Sequence, residues 1–243
     1  MKKQNEPANS RRDFLKKSTL GTSLLVVNPL PDDLTTAKLQ PSSKLLAQGG
    51  TLPRPIAEWA LDLAPAQWIW YPANRVLQNT VVLFRKRLYL NKKPVSAKGW
   101  ILGDSRYRLF VNKQRQQWGP APSDPRWSEA DPLDLTDTLG EGVNIIGAEV
   151  LYYGQGDGTW PIGKAGFIFY LDITFENGES QRIVSDNSWQ TQLARSWRPG
   201  QFKRWYLRAF QEEFDARLYP HGWLEAAYQP DDNWLTAKDL QGA

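Results

Sequence analysis

The stretch GFIFYLDITFENG, residues 166–178, decides the fold because its large apolar side chains recur at every second position. This period of two is typical of a β-strand with one buried face. The Glu-Asn-Gly sequence at 176–178 then predicts a hairpin turn into a following strand. The apolar positions that share the predicted buried face are Phe167, Phe169, Leu171, Ile173 and Phe175.

Similar short apolar runs lie on both sides of this strand. In residues 142–153, Ile146, Ala148, Val150 and Tyr152 share one face, and in 107–112 Tyr107, Leu109 and Val111 do. We predict one short helix, near residues 131–139. Seven or eight evenly spaced strands without a βαβ rhythm predict an all-β fold, a β-sandwich or jelly roll. The remaining predicted strands are 67–72, 80–90, 98–104, 181–185 and 189–193.

Tryptophan is unusually frequent, with twelve in 243 residues. Those in or beside predicted strands are expected in the core: Trp68, Trp70, Trp100 and Trp189. Trp118 and Trp127 instead lie in a proline-rich loop, where a large aromatic ring is either a lid on apolar surface or a platform for a ligand. The sequence slightly favours packing, either in the core or between domains.

The formal net charge of +4 originates at the amino-terminal end. From Thr51 onward the sequence carries 22 basic and 22 acidic residues. Nucleic-acid binding needs a concentrated positive surface, so this composition argues against a nucleic-acid partner.

The amino-terminal end resembles an export signal. Ser10-Arg11-Arg12-Asp13-Phe14-Leu15-Lys16 is similar to the twin-arginine signal and precedes an apolar run too short to span a membrane. We therefore expect residues 1–30 to be the signal and 31–57 a linker rich in proline, serine and glycine. The expected location is the periplasm or the outside of the cell, with no membrane span in the mature chain.

The carboxyl-terminal part repeats a short pattern. Asp-x-x-Trp occurs at 186–189 and again at 231–234. We predict a β-sandwich domain over 58–210 and a tail, 211–243, that resembles the start of a further β module. The expectation is that this chain is the front part of a longer architecture.

Four segments carry a resemblance to a known family: WIWYPAN with VVLFRKRLYL, RYRLFVNKQRQQWGPAPSDPRW, DLTDTLGEGVNIIGAEVLYYG, and EEFDARLYPHGWLEAAYQPDDNWLTA. Between about Ala66 and Ala237 the chain resembles the N-terminal region of bacterial α-L-rhamnosidases, which is a galactose-binding-like jelly roll. The resemblance implies a carbohydrate-binding or structural accessory domain, without the helical catalytic barrel of the family. It also implies a rhamnose-containing glycan and a catalytic glycoside hydrolase module as partners. Where the family usually has Asn-Gly at a strand end, this chain has Asn112-Lys113.

Sugar binding needs a flat aromatic ring and polar groups that bond hydroxyls. Two loops have this composition, and loops of a jelly roll cluster at its ends. The predicted carbohydrate-binding residues are Trp118, Asp124, Arg126 and Trp127 in the first loop, and Tyr152, Tyr153, Asp157 and Trp160 in the second.

Other chemistry has weaker support. Glycoside hydrolysis ordinarily needs two facing carboxyl groups, and Glu149 is the foremost candidate, although an ion pair at the surface or at a sheet edge is the favoured interpretation. His221 is the only histidine and cysteine is absent, which excludes zinc sites and histidine-based triads. No cofactor is expected. Calcium remains open because Asp124, Asp131, Asp134 and Asp157 supply oxygen ligands without a diagnostic spacing. The alternatives to an accessory domain are a hydrolase with its own carboxylate pair and a protein-packing module.

Overall fold

The computed structural model describes residues 61–124, 128–154, 163–200 and 212–240. Within these ranges the chain is built from antiparallel strands and one 3-10 turn, Ala216–Leu218. The strands are β1 Ile69–Trp70, β2 Thr80–Leu90, β3 Ser96–Asp104, β4 Arg106–Val111, β5 Gln114–Gly119, β6 Asp131–Asp134, β7 Gly142–Tyr152, β8 Gly166–Thr174, β9 Ser180–Val184, β10 Gln190–Leu193, β11 Leu235–Thr236 and β12 Lys238–Asp239.

The strands form two sheets. Sheet A has the order β12-β1-β8-β3-β6, with β9 also paired to β8. Sheet B has the order β11-β10-β2-β7-β4-β5. The inner faces of both sheets contribute to one apolar core, so the fold is a β-sandwich.

The core confirms the period-two predictions. All five predicted apolar residues of β8 lie in it, as do Ile146, Ala148 and Val150 of β7. Trp70 and Trp189 are buried there as predicted, whereas Trp68 and Trp100 are only half-buried. Aromatic rings fill the centre, with ring centroids of Phe84 and Phe167 at 4.7 Å.

The predicted helix near 131–139 is wrong. Residues 131–134 form β6, which pairs with β3 at the edge of sheet A. Leu133 and Leu135 are buried at alternate positions, and an edge strand tolerates Pro132 because it leaves one side of its backbone unpaired. Only Leu135–Leu139 makes a helix-like turn, through a backbone bond from Leu139 N to Leu135 O.

Residues 212–240 are integrated into this sandwich. Their strands β11 and β12 pair with β10 of sheet B and β1 of sheet A. The segment between the 3-10 turn and β11 covers the outer face of sheet B, where Trp223 and Trp234 form a second apolar cluster with Val81, Leu83 and Ala194. The segment that resembles the start of a further module thus completes both sheets of this one.

A buried arginine fastens that segment. Arg85 of β2 is only 2% exposed. Its Nε donates to the carbonyl of Trp223 at 2.8 Å and its Nη2 donates to the carbonyl of Glu225 at 3.1 Å. A buried guanidinium is tolerated here because its N–H groups find acceptors.

The β4–β5 hairpin turn is Asn112-Lys113. Both residues have positive φ, 48° and 74°, as a type I′ turn requires. Asn112 is suited to this conformation, and its side chain also bonds β7, accepting from Ile145 N at 2.8 Å and donating to Asn144 at 2.9 Å. Lys113 occupies the position at which glycine is favoured.

None of the helical segments described is long and apolar enough to cross a membrane.

Candidate functional site

A concave cleft opens on the outer face of sheet B. It has a volume of about 410 Å³ and lies over β4, β5 and β7, beside the segment that follows β10. Aromatic and charged side chains dominate its lining: Trp118, Tyr153 and Trp197; Arg106, Arg108, Arg115 and Arg198; Glu149, Glu212 and Glu213. A concave site with aromatic faces and a few polar groups is the usual form of a small-ligand site.

An irregularity in β5 shapes the rim of the cleft. Arg108 pairs with Trp118 and Phe110 pairs with Arg115, so β5 carries one extra residue between these two pairs. This β-bulge brings Trp118 and Arg115, three positions apart, to the same outer face. Trp118 is 73% exposed. The ring of Trp118 therefore lies outside the core, which contradicts core packing and leaves interdomain packing or a ligand platform as its predicted role.

A buried carboxylate lies at the floor of the cleft. Glu149 is 6% exposed and accepts a hydrogen bond from the Tyr219 hydroxyl at 2.9 Å. Its other oxygen lies 3.1 Å from Nε of Arg108, and the Trp223 indole donates to the Tyr219 hydroxyl at 2.8 Å. The structure shows an ion pair at Glu149, but its predicted place at the surface or at a sheet edge is wrong, because the carboxylate is buried and β7 lies inside sheet B.

Burial controls the titration of this group. Loss of solvent raises the pKa of Glu149, and the charge of Arg108 and the Tyr219 hydrogen bond only partly oppose this. Burial and the neighbouring Glu149 carboxylate raise the pKa of Tyr219 to about 12. At neutral pH Tyr219 is therefore a hydrogen-bond donor to Glu149.

The segment after β10 forms the opposite wall. The backbones of Trp197 and Phe214 bridge, and the Trp197 indole donates to Glu212 at 2.6 Å. Arg198 Nη1 lies 3.7 Å from Glu213 Oε1 at an exposed position. The ring of Trp197 packs on Phe214, with centroids 4.7 Å apart, which keeps one wall of the cleft aromatic.

The structure brings together one residue from each predicted loop, Trp118 and Tyr153. Tyr152 does not join them, because strand alternation turns it to the core, where its ring meets Trp70 and its hydroxyl donates to Gly163 O.

Asp124 is half-buried and does not line the cleft. Arg126, Trp127, Asp157 and Trp160 lie outside the described residues.

Several lining residues were not predicted from the sequence. Arg106 and Arg108 were predictable as outward-facing residues, because side chains alternate between the two faces along β4. The sequence gives no such indication for Trp197 and Glu212, because a non-local backbone bridge brings them to the cleft.

The carboxylates considered for calcium have separate partners. Asp131 accepts from the Tyr107 hydroxyl at 2.6 Å, and Asp134 accepts from Thr136 N at 3.0 Å. Among the described residues, histidine and acidic side chains form no group of three or more that is able to hold a metal ion. Asp157 lies outside this part of the chain.

The two antiparallel sheets and the cleft on one outer face place this chain in the class of β-sandwich domains. The α-L-rhamnosidase N-terminal domain family matches residues 92–242, and the chain belongs to this family. The predicted family resemblance and the all-β sandwich fold are thereby confirmed.

Solved structures agree with this assignment. A GH78 family rhamnosidase of Bacillus sp. GL1 is 26% identical with a TM-score of 0.64, over 74% of this chain and 19% of that one. The α-L-rhamnosidase of Aspergillus terreus is 25% identical with a TM-score of 0.58, over 73% and 21%. This chain therefore spans about a fifth of the rhamnosidases that it matches.

A lectin of Pleurotus ostreatus shares the fold, at 22% identity and a TM-score of 0.50, over 74% of this chain and 42% of that one. No match was found among curated protein sequences.

Proposed function

We propose that this chain is an exported carbohydrate-binding accessory domain, and that it binds sugar in the cleft on sheet B. The observation that carries the proposal is the position of Trp118, an exposed indole at the rim of a concave site that also contains Tyr153 and several arginines and glutamates. Apolar faces of sugar rings pack on such aromatic surfaces while polar side chains bond the hydroxyls.

The relatives support the proposal. The chain belongs to a rhamnosidase domain family, and one neighbour of its fold is a lectin. On this proposal a catalytic glycoside hydrolase module supplies the hydrolysis, and this domain holds the glycan, which contains L-rhamnose, or supports that module structurally.

Sugar binding is tested by titration calorimetry of the purified chain with L-rhamnose and a panel of other monosaccharides. We expect saturable heat of binding for at least one sugar, abolished by Trp118→Ala and retained in Trp100→Ala. Trp100 is a matched control because it is half-buried on sheet A, away from the cleft. If a well-folded chain binds none of the sugars, the proposal fails and the protein-packing alternative is favoured.

Export is part of the proposal and has its own test. The paired Arg11 and Arg12 carry the resemblance to the twin-arginine signal. We expect the chain to reach the periplasm of a bacterial host, and the double change Arg11→Lys and Arg12→Lys to retain it inside the cell. Equal export of both forms would contradict a twin-arginine route.

A second candidate is a hydrolase with its own carboxylate pair. The observation that favours it is that Glu149 and Glu212 line the same cleft, and that burial raises the pKa of Glu149, as a general acid requires. Its weakness is that Arg108 and Tyr219 already engage both oxygens of Glu149. Release of the aryl group from an aryl α-L-rhamnoside, lost in Glu149→Gln, would support this candidate.

A further inference from the structure

We propose that the ligand of the cleft is an acidic saccharide, with a uronate carboxylate held between Arg108 and Arg115 and the sugar ring against Trp118. This inference rests on the proposed carbohydrate binding and narrows its ligand class. A uronate is a sugar whose C6 carbon is a carboxylate, so it offers both an apolar ring face and a fixed negative charge.

Arg108 is held ready for such a ligand. Its Nε lies 3.1 Å from Oε2 of Glu149, and Tyr219 fixes that carboxylate from the other side. The Arg108 side chain is nevertheless half-exposed. No described residue accepts a hydrogen bond from its two terminal Nη groups, which leaves their four N–H donors for a ligand. A guanidinium that is already oriented loses less entropy when it binds.

Arg115 supplies the second cation. It is exposed on β5, and the bulge turns it to the same face as Trp118 and Arg108. Within the described residues its side chain makes no hydrogen bond or ion pair. Because a guanidinium fork matches the two oxygens of a carboxylate, two arginines on one face suit a carboxylated ligand better than a neutral one.

The acidic residues of the cleft leave its lining with a net positive charge, because it contains four arginines and three glutamates. Glu149 is paired with Arg108, and Glu213 lies 3.7 Å from Arg198. Glu212 accepts from the Trp197 indole on the opposite wall. The charge of Arg115 remains on the outer face that also carries Trp118.

The test compares galacturonate oligosaccharides with the same oligosaccharides after reduction of their carboxyl groups, using titration calorimetry on the full chain. We expect the acidic form to bind at least about tenfold more tightly, because a charge-assisted pair contributes that much or more. Added sodium chloride should weaken only the acidic ligand.

Variants locate the charge effect. Arg115→Gln should weaken the acidic ligand about tenfold and leave the reduced ligand unchanged. Arg87→Gln is the matched control, because Arg87 is an exposed arginine of the same sheet that does not line the cleft. Arg108→Gln should act like Arg115→Gln. Since it also leaves Glu149 unpaired, the exposed Arg115 variant decides the outcome if Arg108→Gln does not fold.

The outcomes separate the two proposals. Equal affinity for acidic and reduced oligosaccharides, or no effect of Arg115→Gln, overturns the proposal of an acidic ligand and leaves the proposal of carbohydrate binding intact. Binding of sulfated but not galacturonate oligosaccharides overturns the proposal that the ligand's charged group is a carboxylate. Failure of the folded chain to bind any saccharide overturns this inference together with the proposed function.

Discussion

At the scale of single residues, two positions are held in states that their side chains do not prefer. Lys113 adopts a left-handed backbone, with φ of 74°, to close the β4–β5 hairpin. Glu149 keeps a carboxylate in a site that excludes water. Glu149 lies at the floor of the cleft, and Lys113 lies in the hairpin turn two positions before the cleft residue Arg115.

The turn is the first test at this scale. Lys113→Gly should raise the free energy of unfolding by about 1 kcal/mol, because glycine adopts positive φ without a steric penalty. The ion pair from Lys113 to Glu225 spans 3.5 Å at the surface and its loss should matter little. Urea unfolding followed by fluorescence measures the change.

Lys93→Gly is the control for this turn, since Lys93 is exposed and lies outside the positive-φ positions. It should lower the free energy of unfolding slightly, through the greater entropy of glycine in the unfolded chain. Equal effects of the two changes would show that Lys113 carries no strain.

Glu149 provides a pH-dependent test. Because burial raises its pKa above the unfolded value, the folded chain retains a proton that the unfolded chain has already released. Its contribution to stability is present below the unfolded pKa and is lost as the pH rises through the folded pKa. Glu149→Gln removes this dependence, so the variant should gain relative to the original chain as the pH rises from about 4 to about 7.

The measurement is urea unfolding at a series of pH values. Glu176→Gln, an exposed change in the hairpin turn after β8, is the control for loss of one carboxylate. A difference between the Glu149 variant and the original chain that stays constant with pH would contradict the burial effect.

At the scale of elements, the outer face of sheet B depends on the segment that covers it. Arg85 fastens this segment through two backbone carbonyls. Arg85→Gln should lower the free energy of unfolding by about 2–4 kcal/mol, because a shorter side chain leaves buried acceptors without donors. Chemical unfolding measures this loss.

Arg87→Gln is the matched control for Arg85. The two arginines lie two positions apart on β2, but Arg87 is exposed. Its change should stay within about 0.5 kcal/mol of the original chain. A similar loss in both variants would mean that general charge, and not the two carbonyl bonds, governs the stability of this face.

The elements also show what the sequence was able to predict. The strands β7 and β8 were predictable because four or five apolar residues at alternate positions already identify the buried face. The prediction for β6 was wrong, since Leu135 and Leu139, four positions apart, also fit a helical spacing, and only the pairing with β3 decides between strand and helix. The β5 bulge was not predictable from the sequence, because an extra residue in a strand is recognised only from its register with the neighbouring strand, here β4.

The candidate site was predictable only in part, for the same reason. Trp118 and Tyr153 were identified by residue type, since exposed aromatics beside strand ends are common in binding loops. Their partners across the cleft were not, because Trp197 and Glu212 reach it through long-range backbone contacts.

At the scale of the whole molecule, the last strands tie the two sheets together. β11 extends sheet B, β12 extends sheet A, and Trp234 just before them is buried in the cluster on sheet B. A chain shortened after Gln229 loses one strand from each sheet and this tryptophan. We expect it to lose cooperative thermal unfolding, which calorimetry would show. An unchanged melting temperature would mean that the sandwich folds without residues 230–243.

The pairing of β1 with β12 has a mechanical consequence. Ile69 faces Asp239 and Trp70 faces Lys238, so the first and last strands run side by side in opposite directions. Tension applied to the polypeptide on either side of this pair would break its hydrogen bonds one after another. It would not load all of them at once in shear. Under a pulling force the sandwich would therefore yield first by peeling open at this edge of sheet A, while the long β2–β7 ladder on the other sheet still carried no load.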